Sequence, residues 1–258
     1  MTTLQAALLG LVQGLTEFLP VSSSGHLFLL EKYLQINDQD LTFEIMLHLA
    51  TLLAVLVFFW PQIKKLSKRQ LLAIFIATLP MIPLAIVAQP LVLVVSQSSQ
   101  LIGLTLLVTA LINWLSHRQL QQANKNSSSQ DLTGQVGTAF NIGCWQALAI
   151  FPGISRSGIT LFASLKNRLS ADRAFNFSFL LSIPAIIGAS VFSFVQSPAA
   201  VNSLLSFDQY QSLLLAMTLA FAGGYLSLKL LKNVLHKRRL LFFSLYCLVL
   251  GLSQLLLT

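Results

Sequence analysis

Two short polar stretches interrupt a chain that is otherwise strongly apolar. The first, QGLTEFLPVSSSGH at 13–26, contains a carboxylate, three serines and a histidine, and the second, FPGISRSGIT at 151–160, contains an arginine between two serines. An ionisable side chain at the centre of a membrane helix costs roughly 2.5 to 3.5 kcal/mol on insertion scales, so such residues are functional candidates by default. Glu17, His26 and Arg156 are therefore the first residues to consider.

In the first stretch, Glu17 follows Gln13 by four residues. If the segment is helical, this spacing places both oxygen-bearing side chains on one face. Such a pair can share a hard cation or hold a water molecule in place.

The second stretch has the composition of an anion-binding site. Arginine presents a fixed fork of donors that matches phosphate, and hydroxyl groups add neutral donors. Pro152 and Gly153 favour a break in the helix, and the helix N-terminus beyond such a break attracts anions. The residues that we assign to this site are Ser155, Arg156, Ser157, Gly158 and Thr160.

Each of these residues also has a purely structural interpretation. Serine and glycine in membrane helices often serve only close packing. An ion pair between Glu17 and Arg156 would bridge the two stretches, and His26 would then lie at a helix end near the surface. Glu44 and His48 are one helical turn apart on an apolar segment, where support of the site and a structural hydrogen bond are equal alternatives.

The elements that must position these residues are membrane helices. Of 258 residues, 55% are hydrophobic and 9% are charged, whereas a soluble domain carries roughly a quarter charged residues. We therefore predict a single membrane domain over residues 1–258. The net charge of +8 comes from short basic stretches between apolar segments, which indicate membrane topology and no nucleic-acid partner.

Six apolar segments are long enough to cross a bilayer, which takes roughly 17 to 25 residues. They lie at 41–60, 70–90, 98–116, 174–196, 209–231 and 239–257. Two further apolar regions, 4–30 and 138–165, contain the polar stretches. We predict that both are re-entrant helical hairpins, because irregular backbone at membrane depth must be satisfied by protein or by a wet cavity.

The hairpin followed by three spans occurs twice. A shift of 133 positions superposes matching residues of the two copies, namely Gly10 on Gly143, Gln13 on Gln146, Phe18 on Phe151, Ser22 on Ser155, Ser24 on Ser157 and Gly25 on Gly158. The predicted organisation is a first repeat at 1–116, a cytoplasmic linker loop at 117–137 and a second repeat at 138–258. Because three is an odd number of spans, the predicted fold class is an all-α integral membrane protein with an inverted-topology repeat.

Basic residues support the inversion. Fourteen of the 16 Lys and Arg residues fall in the alternate junctions 61–69, 117–125, 166–173 and 229–239. The positive-inside rule makes these junctions cytoplasmic. The first hairpin is then expected to enter from outside and the second from the cytoplasm, so that they meet near the midplane.

With these motifs, the chain resembles the undecaprenyl-diphosphate phosphatase family associated with bacitracin resistance. The first family motif matches Gln13, Glu17, Pro20, Ser22, Ser23, Ser24, Gly25 and His26. The second matches Pro152, Gly153, Ser155, Arg156, Ser157, Gly158 and Thr160. Two positions depart from the pattern, since Gln13 stands where many members have Glu and His48 stands where Gln is expected.

The resemblance implies hydrolysis of undecaprenyl diphosphate to undecaprenyl phosphate and inorganic phosphate. This reaction recycles the carrier lipid for peptidoglycan synthesis and confers bacitracin resistance. A phosphate cradle inside a hydrophobic bundle suits a substrate with a diphosphate head and a lipid tail. We expect a multi-pass enzyme of the bacterial plasma (inner) membrane whose active site faces the extracytoplasmic side.

The roles that we assign in this reaction are hypotheses. Arg156 binds the diphosphate and stabilises charge on the transferred phosphoryl group. Glu17 and Gln13 hold a divalent cation, Mg²⁺ or Ca²⁺, or orient the attacking water. His26 is a general base, general acid or nucleophile, and Ser23 is the alternative nucleophile. The remaining substrate-binding assignments are Ser22, Ser24, Ser155, Ser157, Gly158 and Thr160.

Two other classes of protein stay open. Secondary transporters also combine inverted repeats with broken helices, so the chain can be read as a carrier of a lipid phosphate or another anion. A structural membrane protein gives no reason for placing Glu17, His26 and Arg156 in matched hairpins. The sequence leaves the oligomeric state open, with a homodimer as one alternative.

Overall fold

The described part of the chain, residues 1–36, 41–122, 135–196 and 207–256 of a computed structural model, is almost entirely helical. Helices suit an apolar environment because they satisfy backbone N–H and C=O groups internally. In chain order the helices are α1 Thr3–Phe18, α2 Ser23–Tyr33, α3 Leu41–Phe58, α4 Trp60–Ile63, α5 Lys68–Thr78, α6 Met81–Val87, α7 Gln89–Val95, α8 Ser99–Gln122, α9 Val136–Ala147, α10 Arg156–Lys166, α11 Ala171–Gln196, α12 Phe207–His236 and α13 Leu241–Leu256. The prediction of an all-α chain is confirmed for these residues.

Four segments of the described chain are long and apolar enough to cross a membrane. They are Lys68–Val87, Ser99–Gln122, Ala171–Val195 and Tyr210–His236. The shorter helices Thr42–Phe58 and Leu241–Leu256 are apolar as well. Each predicted span thus corresponds to apolar helix, and the chain is a multi-pass membrane protein.

The span predicted at 70–90 corresponds to the apolar segment Lys68–Val87, which is divided into α5 and α6 at Pro80 because proline cannot donate the backbone hydrogen bond of a continuous helix, and α7 extends beyond it. One bound of the predicted spans is wrong. The span predicted to end at 116 continues to Gln122, within the linker predicted at 117–137. Arg118 helps to extend it by stacking on the ring of Trp114, 4.5 Å from its centroid. Residues 123–134 of the linker lie outside the described residues.

Both predicted hairpins contain a break between two helices. Pro20 lies in the first break, between α1 and α2, and Gly153 lies in the second with a φ of +90°, which favours glycine. In each case a serine at the end of the break caps the next helix. The Oγ of Ser22 accepts from Gly25 N, and the Oγ of Ser155 accepts from Gly158 N.

The first helix of each hairpin packs closely against a helix of the other half. Gly10 of α1 lies against the backbone of Ala216 in α12, and Gly143 of α9 lies against the backbone of Ala77 in α5. A methyl group at either glycine would overlap these backbones. Small residues at such crossings allow the helices to approach closely, and they hold both hairpins inside the bundle.

Candidate active site

The breaks of the two hairpins meet. Gly153 N donates to Ser24 Oγ at 3.4 Å, and a Cβ added at Gly25 would lie 3.2 Å from Gly153 Cα. Ser157 Oγ of the second hairpin donates to Leu19 O of the first at 3.1 Å. The predicted juxtaposition of the two polar stretches is therefore observed.

The buried carboxylate of Glu17 is the centre of the resulting cluster. Its Oε1 accepts from Arg156 Nη2 at 2.6 Å, which joins the two hairpins by an ion pair. Its Oε2 accepts from Ser23 Oγ at 2.6 Å and from Gln13 Nε2 at 3.1 Å. The spacing of Gln13 and Glu17 thus places both on one helical face, as predicted.

His48 of α3 belongs to the same cluster. Its Nδ1 lies 2.9 Å from Gln13 Nε2 and 3.5 Å from Glu17 Oε2. The alternatives for His48 were support of the site and a structural hydrogen bond elsewhere, and these contacts favour support of the site. Because His48 touches both residues of the Gln13–Glu17 pair, it restrains the orientation of the amide and of the carboxylate.

Two buried polar atoms of the cluster have no hydrogen-bond partner among the described residues, Arg156 Nη1 and Gln13 Oε1. A buried polar atom without a partner is costly, so each such atom calls for an explanation. Arg156 uses Nη2 to hold Glu17, and its Nη1 is left without a partner in the described part of the chain. The arrangement can therefore bind a phosphate next to a hydroxyl that is already bonded to a carboxylate.

His26 is not hydrogen-bonded to this cluster. Its Nδ1 lies 2.7 Å from Ser22 O, and its Nε2 lies 2.7 Å from the hydroxyl of Tyr246 in α13. Both ring nitrogens are therefore engaged. Tyr246 was not a candidate in the sequence, because nothing in its apolar segment distinguishes it from a residue facing lipid.

The other predicted substrate-binding residues form the walls of the two breaks. Ser22 and Ser155 act as helix caps, and the backbone N–H of Gly158 donates to Ser155 Oγ. Thr160 Oγ1 donates to Arg156 O at 2.8 Å and also contacts Ser178 Oγ. These hydroxyls are buried, whereas Ser23 is partly exposed and Ser24 is exposed.

Three residues of α8 that sequence reasoning missed hold both breaks in place. Thr105 Oγ1 donates to Pro152 O at 2.7 Å, and Thr109 Oγ1 donates to Gly153 O at 2.7 Å. Asn113 Nδ2 donates to Pro20 O at 2.6 Å. Their spacing of four residues is a polar stripe on an apolar span, and this stripe was a detectable signal.

Gln13 and Glu17 suit a divalent cation in part. A carboxylate offers about four lone-pair sites, and Glu17 uses three of them for Arg156, Ser23 and Gln13. The carbonyl oxygen of Gln13 is buried without a partner. The described residues contain no group of three or more His, Cys, Asp or Glu side chains that could hold a metal, so a cation bound here would need substrate oxygens and water to complete its shell. Mg²⁺ is commonly bound in that way.

Comparisons with known proteins agree over almost the whole chain. The sequence profile of the family described as bacitracin resistance protein BacA matches residues 6–253. An undecaprenyl-diphosphatase of Carboxydothermus hydrogenoformans is 38% identical over 100% of this chain and 98% of its own length. One from Halothermothrix orenii is 35% identical over 96% and 95%, and undecaprenyl-diphosphatase 4 of Bacillus cereus is 36% identical over 100% and 97%.

Proposed function

Because the chain belongs to the family of the bacitracin resistance protein BacA, we propose that the cluster around Glu17 is its phosphatase site. The chain is an undecaprenyl-diphosphatase, which hydrolyses undecaprenyl diphosphate to undecaprenyl phosphate and inorganic phosphate. Its reaction recycles the carrier lipid and fits bacitracin resistance. The observation that supports this proposal is the partly buried guanidinium of Arg156, with Nη2 on Glu17 and a buried Nη1 that has no hydrogen-bond partner among the described residues.

Arg156 binds the terminal phosphate of the substrate through Nη1. Its Nη2 bond to Glu17 fixes the plane of the guanidinium, so little reorganisation is needed when negative charge develops on the transferred phosphoryl group. The N-terminus of α10, which begins at Arg156, adds a favourable dipole. The walls built by Ser155, Ser157, Gly158 and Thr160 keep this helix end in place.

Ser23 is the nucleophile that the geometry favours. Its hydroxyl already donates to Glu17 Oε2 at 2.6 Å, the relation expected between a nucleophile and its base. Ser23 Oγ forms a bond to the terminal phosphorus while its proton passes to Glu17. The bond from that phosphorus to the bridging oxygen breaks, and undecaprenyl phosphate leaves.

His26 acts in the second half of the reaction. Water attacks the phosphoserine and gives up a proton that ends on His26, Ser23 Oγ regains its proton from Glu17, and inorganic phosphate leaves. His26 is a poor candidate for the nucleophile because both of its ring nitrogens are engaged. A divalent cation, held by Glu17 and Gln13 together with substrate oxygens, would neutralise charge on the diphosphate when bound.

The two halves of the chain, 1–116 and 138–258, form an inverted repeat in this proposal. The two matched glycines make similar contacts, which supports it: Gly10 packs on the backbone of Ala216 in the second half, and Gly143 packs on the backbone of Ala77 in the first half. The caps formed by Ser22 and Ser155 are also related by the shift of 133 positions. The first helix of each hairpin therefore packs against a helix of the other half. A homodimer stays a prediction, which native mass spectrometry of the solubilised protein tests.

The site opens to the extracytoplasmic side in this proposal, and cysteine labelling tests it. In a background with Cys144→Ser and Cys247→Ser, we expect a membrane-impermeant maleimide to label Ser24→Cys in intact cells, because Ser24 is exposed at the tip of the first hairpin. A matched Gln122→Cys variant, exposed at the end of α8, should label only after permeabilisation. Labelling of Ser24→Cys only from the cytoplasmic side would reverse the orientation.

The activity and its cation are tested together by phosphate release from a polyprenyl diphosphate in detergent. We expect EDTA to lower the rate at least about tenfold, and Mg²⁺ or Ca²⁺ to restore it. Gln13→Glu adds a charged oxygen ligand, so half-maximal activity should need less cation than in the parent. A rate that EDTA leaves unchanged would remove the cation from the proposal. No phosphate release from folded protein, at any lipid length, would favour an anion transporter.

A further inference from the structure

Tyr246 of α13 covers His26 of α2 in the described structure. The tyrosine hydroxyl lies 2.7 Å from His26 Nε2. The two rings are stacked, with centroids 5.5 Å apart and an interplanar angle of 8°. The two residues lie 220 positions apart in the chain, so this contact joins the first hairpin to the last helix.

The contacts on the two ring nitrogens define the tautomer of His26. Ser22 O is a carbonyl oxygen, which only accepts, so Nδ1 must carry the proton at 2.7 Å. In the neutral ring Nε2 then holds the lone pair, and the hydroxyl of Tyr246 donates to it. A phenol hydroxyl can also accept, so the same contact persists when Nε2 is protonated.

Both partners of His26 are held by the fold. Ser22 caps α2 through Gly25 N, which fixes the carbonyl beneath Nδ1. On α13, Ser244 Oγ donates to Ala110 O at 2.7 Å, and Cys247 Sγ lies 3.8 Å from Pro20 O. These contacts flank Tyr246 on both sides and set its position at the surface of the bundle, where the residue is 41% exposed.

We propose that Tyr246 positions His26 and links it to the attacking water. Ser22 O sets the tautomer, and the Tyr246 hydroxyl holds the ring so that it passes its own proton to Nε2 while it takes up the proton of the water. The hydroxyl thus stays bonded to Nε2 in both protonation states. This inference rests on the proposed role of His26 as the base for the attacking water. It adds a residue of the last helix to a site otherwise built from the two hairpins, α3 and α8.

The test is Tyr246→Phe, which keeps the aromatic ring and removes the hydroxyl. We expect kcat to fall about tenfold, the value of a well-placed hydrogen bond in the transition state, with KM changed less than about twofold. Tyr210→Phe is the matched control, because Tyr210 is 60% exposed and lies outside the site. An unchanged kcat in Tyr246→Phe would overturn the proposal.

Nitrogen NMR of ¹⁵N-histidine-labelled protein gives a readout that does not depend on turnover. The chain has four histidines, and His26→Asn identifies the signals of His26. In the parent protein we expect a protonated Nδ1 and an Nε2 lone pair that accepts a hydrogen bond. In Tyr246→Phe the tautomer should stay the same, because Ser22 O fixes it, and the Nε2 signal should move towards that of a lone pair without this bond. A parent protein with its proton on Nε2 would contradict the proposal even if the variant failed to fold. Full activity of His26→Asn would instead contradict the proposed role of His26.

Discussion

Arg156→Lys is expected to lower kcat/KM for a polyprenyl diphosphate by at least about 100-fold, although the charge is conserved. Nη2 of Arg156 holds Glu17 at 2.6 Å, and in the proposed mechanism Nη1, which has no partner among the described residues, binds the substrate. A lysine ammonium is a single point of contact, so it either pairs with Glu17 or binds phosphate. We therefore expect KM to rise and kcat to fall together in steady-state assays of phosphate release.

The matched control is Arg118→Lys. Arg118 is exposed near the end of α8 and stacks on Trp114, so it tests the loss of a guanidinium away from the site. Its kinetic constants should stay within about twofold of the parent, as for most surface substitutions. If Arg156→Lys turned over at a near-normal rate, charge alone would suffice and the fork geometry would have no role in the reaction.

The main features of the site were predictable from the sequence because they follow from two local rules. Buried ionisable residues are rare in membrane helices, which singled out Glu17 and Arg156. The repeat in the sequence then placed the two residues in equivalent hairpins, and the structure joins them by an ion pair. The helical spacing of Gln13 and Glu17 predicted their hydrogen bond in the same way.

The other contacts of the site depend on tertiary packing that one sequence does not contain. Tyr246 reaches His26 only because α13 is fixed against α8, and its own segment reads as ordinary lipid-facing helix. The hairpin breaks were predictable from proline and glycine, and the polar stripe of α8 was visible in the sequence. The hydrogen-bond partners of Thr105 and Thr109 in that stripe were not, because they lie about 45 residues away. The end of α8 was also missed. This helix continues to Gln122, through residues whose polarity predicted a loop from 117.

Glu17→Gln is expected to lower kcat by about 1000-fold while changing KM much less than Arg156→Lys does. The substitution keeps the shape of the side chain and removes its charge. Ser23 then loses the carboxylate that takes its proton, and loss of a general base costs roughly 10² to 10⁴ in rate. Arg156 keeps its charge and its Nη1, so the affinity for the diphosphate should survive at a saturating concentration of the cation, for which Glu17 is also a proposed ligand. Kinetics of phosphate release at saturating and limiting substrate separate the two effects.

Asp172→Asn provides the matched control for Glu17→Gln, because it breaks the exposed ion pair between Asp172 Oδ1 and His236 Nε2, 2.8 Å apart. Exposed pairs contribute roughly 0 to 1 kcal/mol, so this variant should keep its rate. Combining Glu17→Gln with Arg156→Lys should cost much less than the product of the single effects, because residues that act as a unit are not additive. Fully multiplicative losses would mean that Glu17 and Arg156 act independently, and the ion pair would then be structural. A rate in Glu17→Gln within about tenfold of the parent would assign the activation of Ser23 to another group.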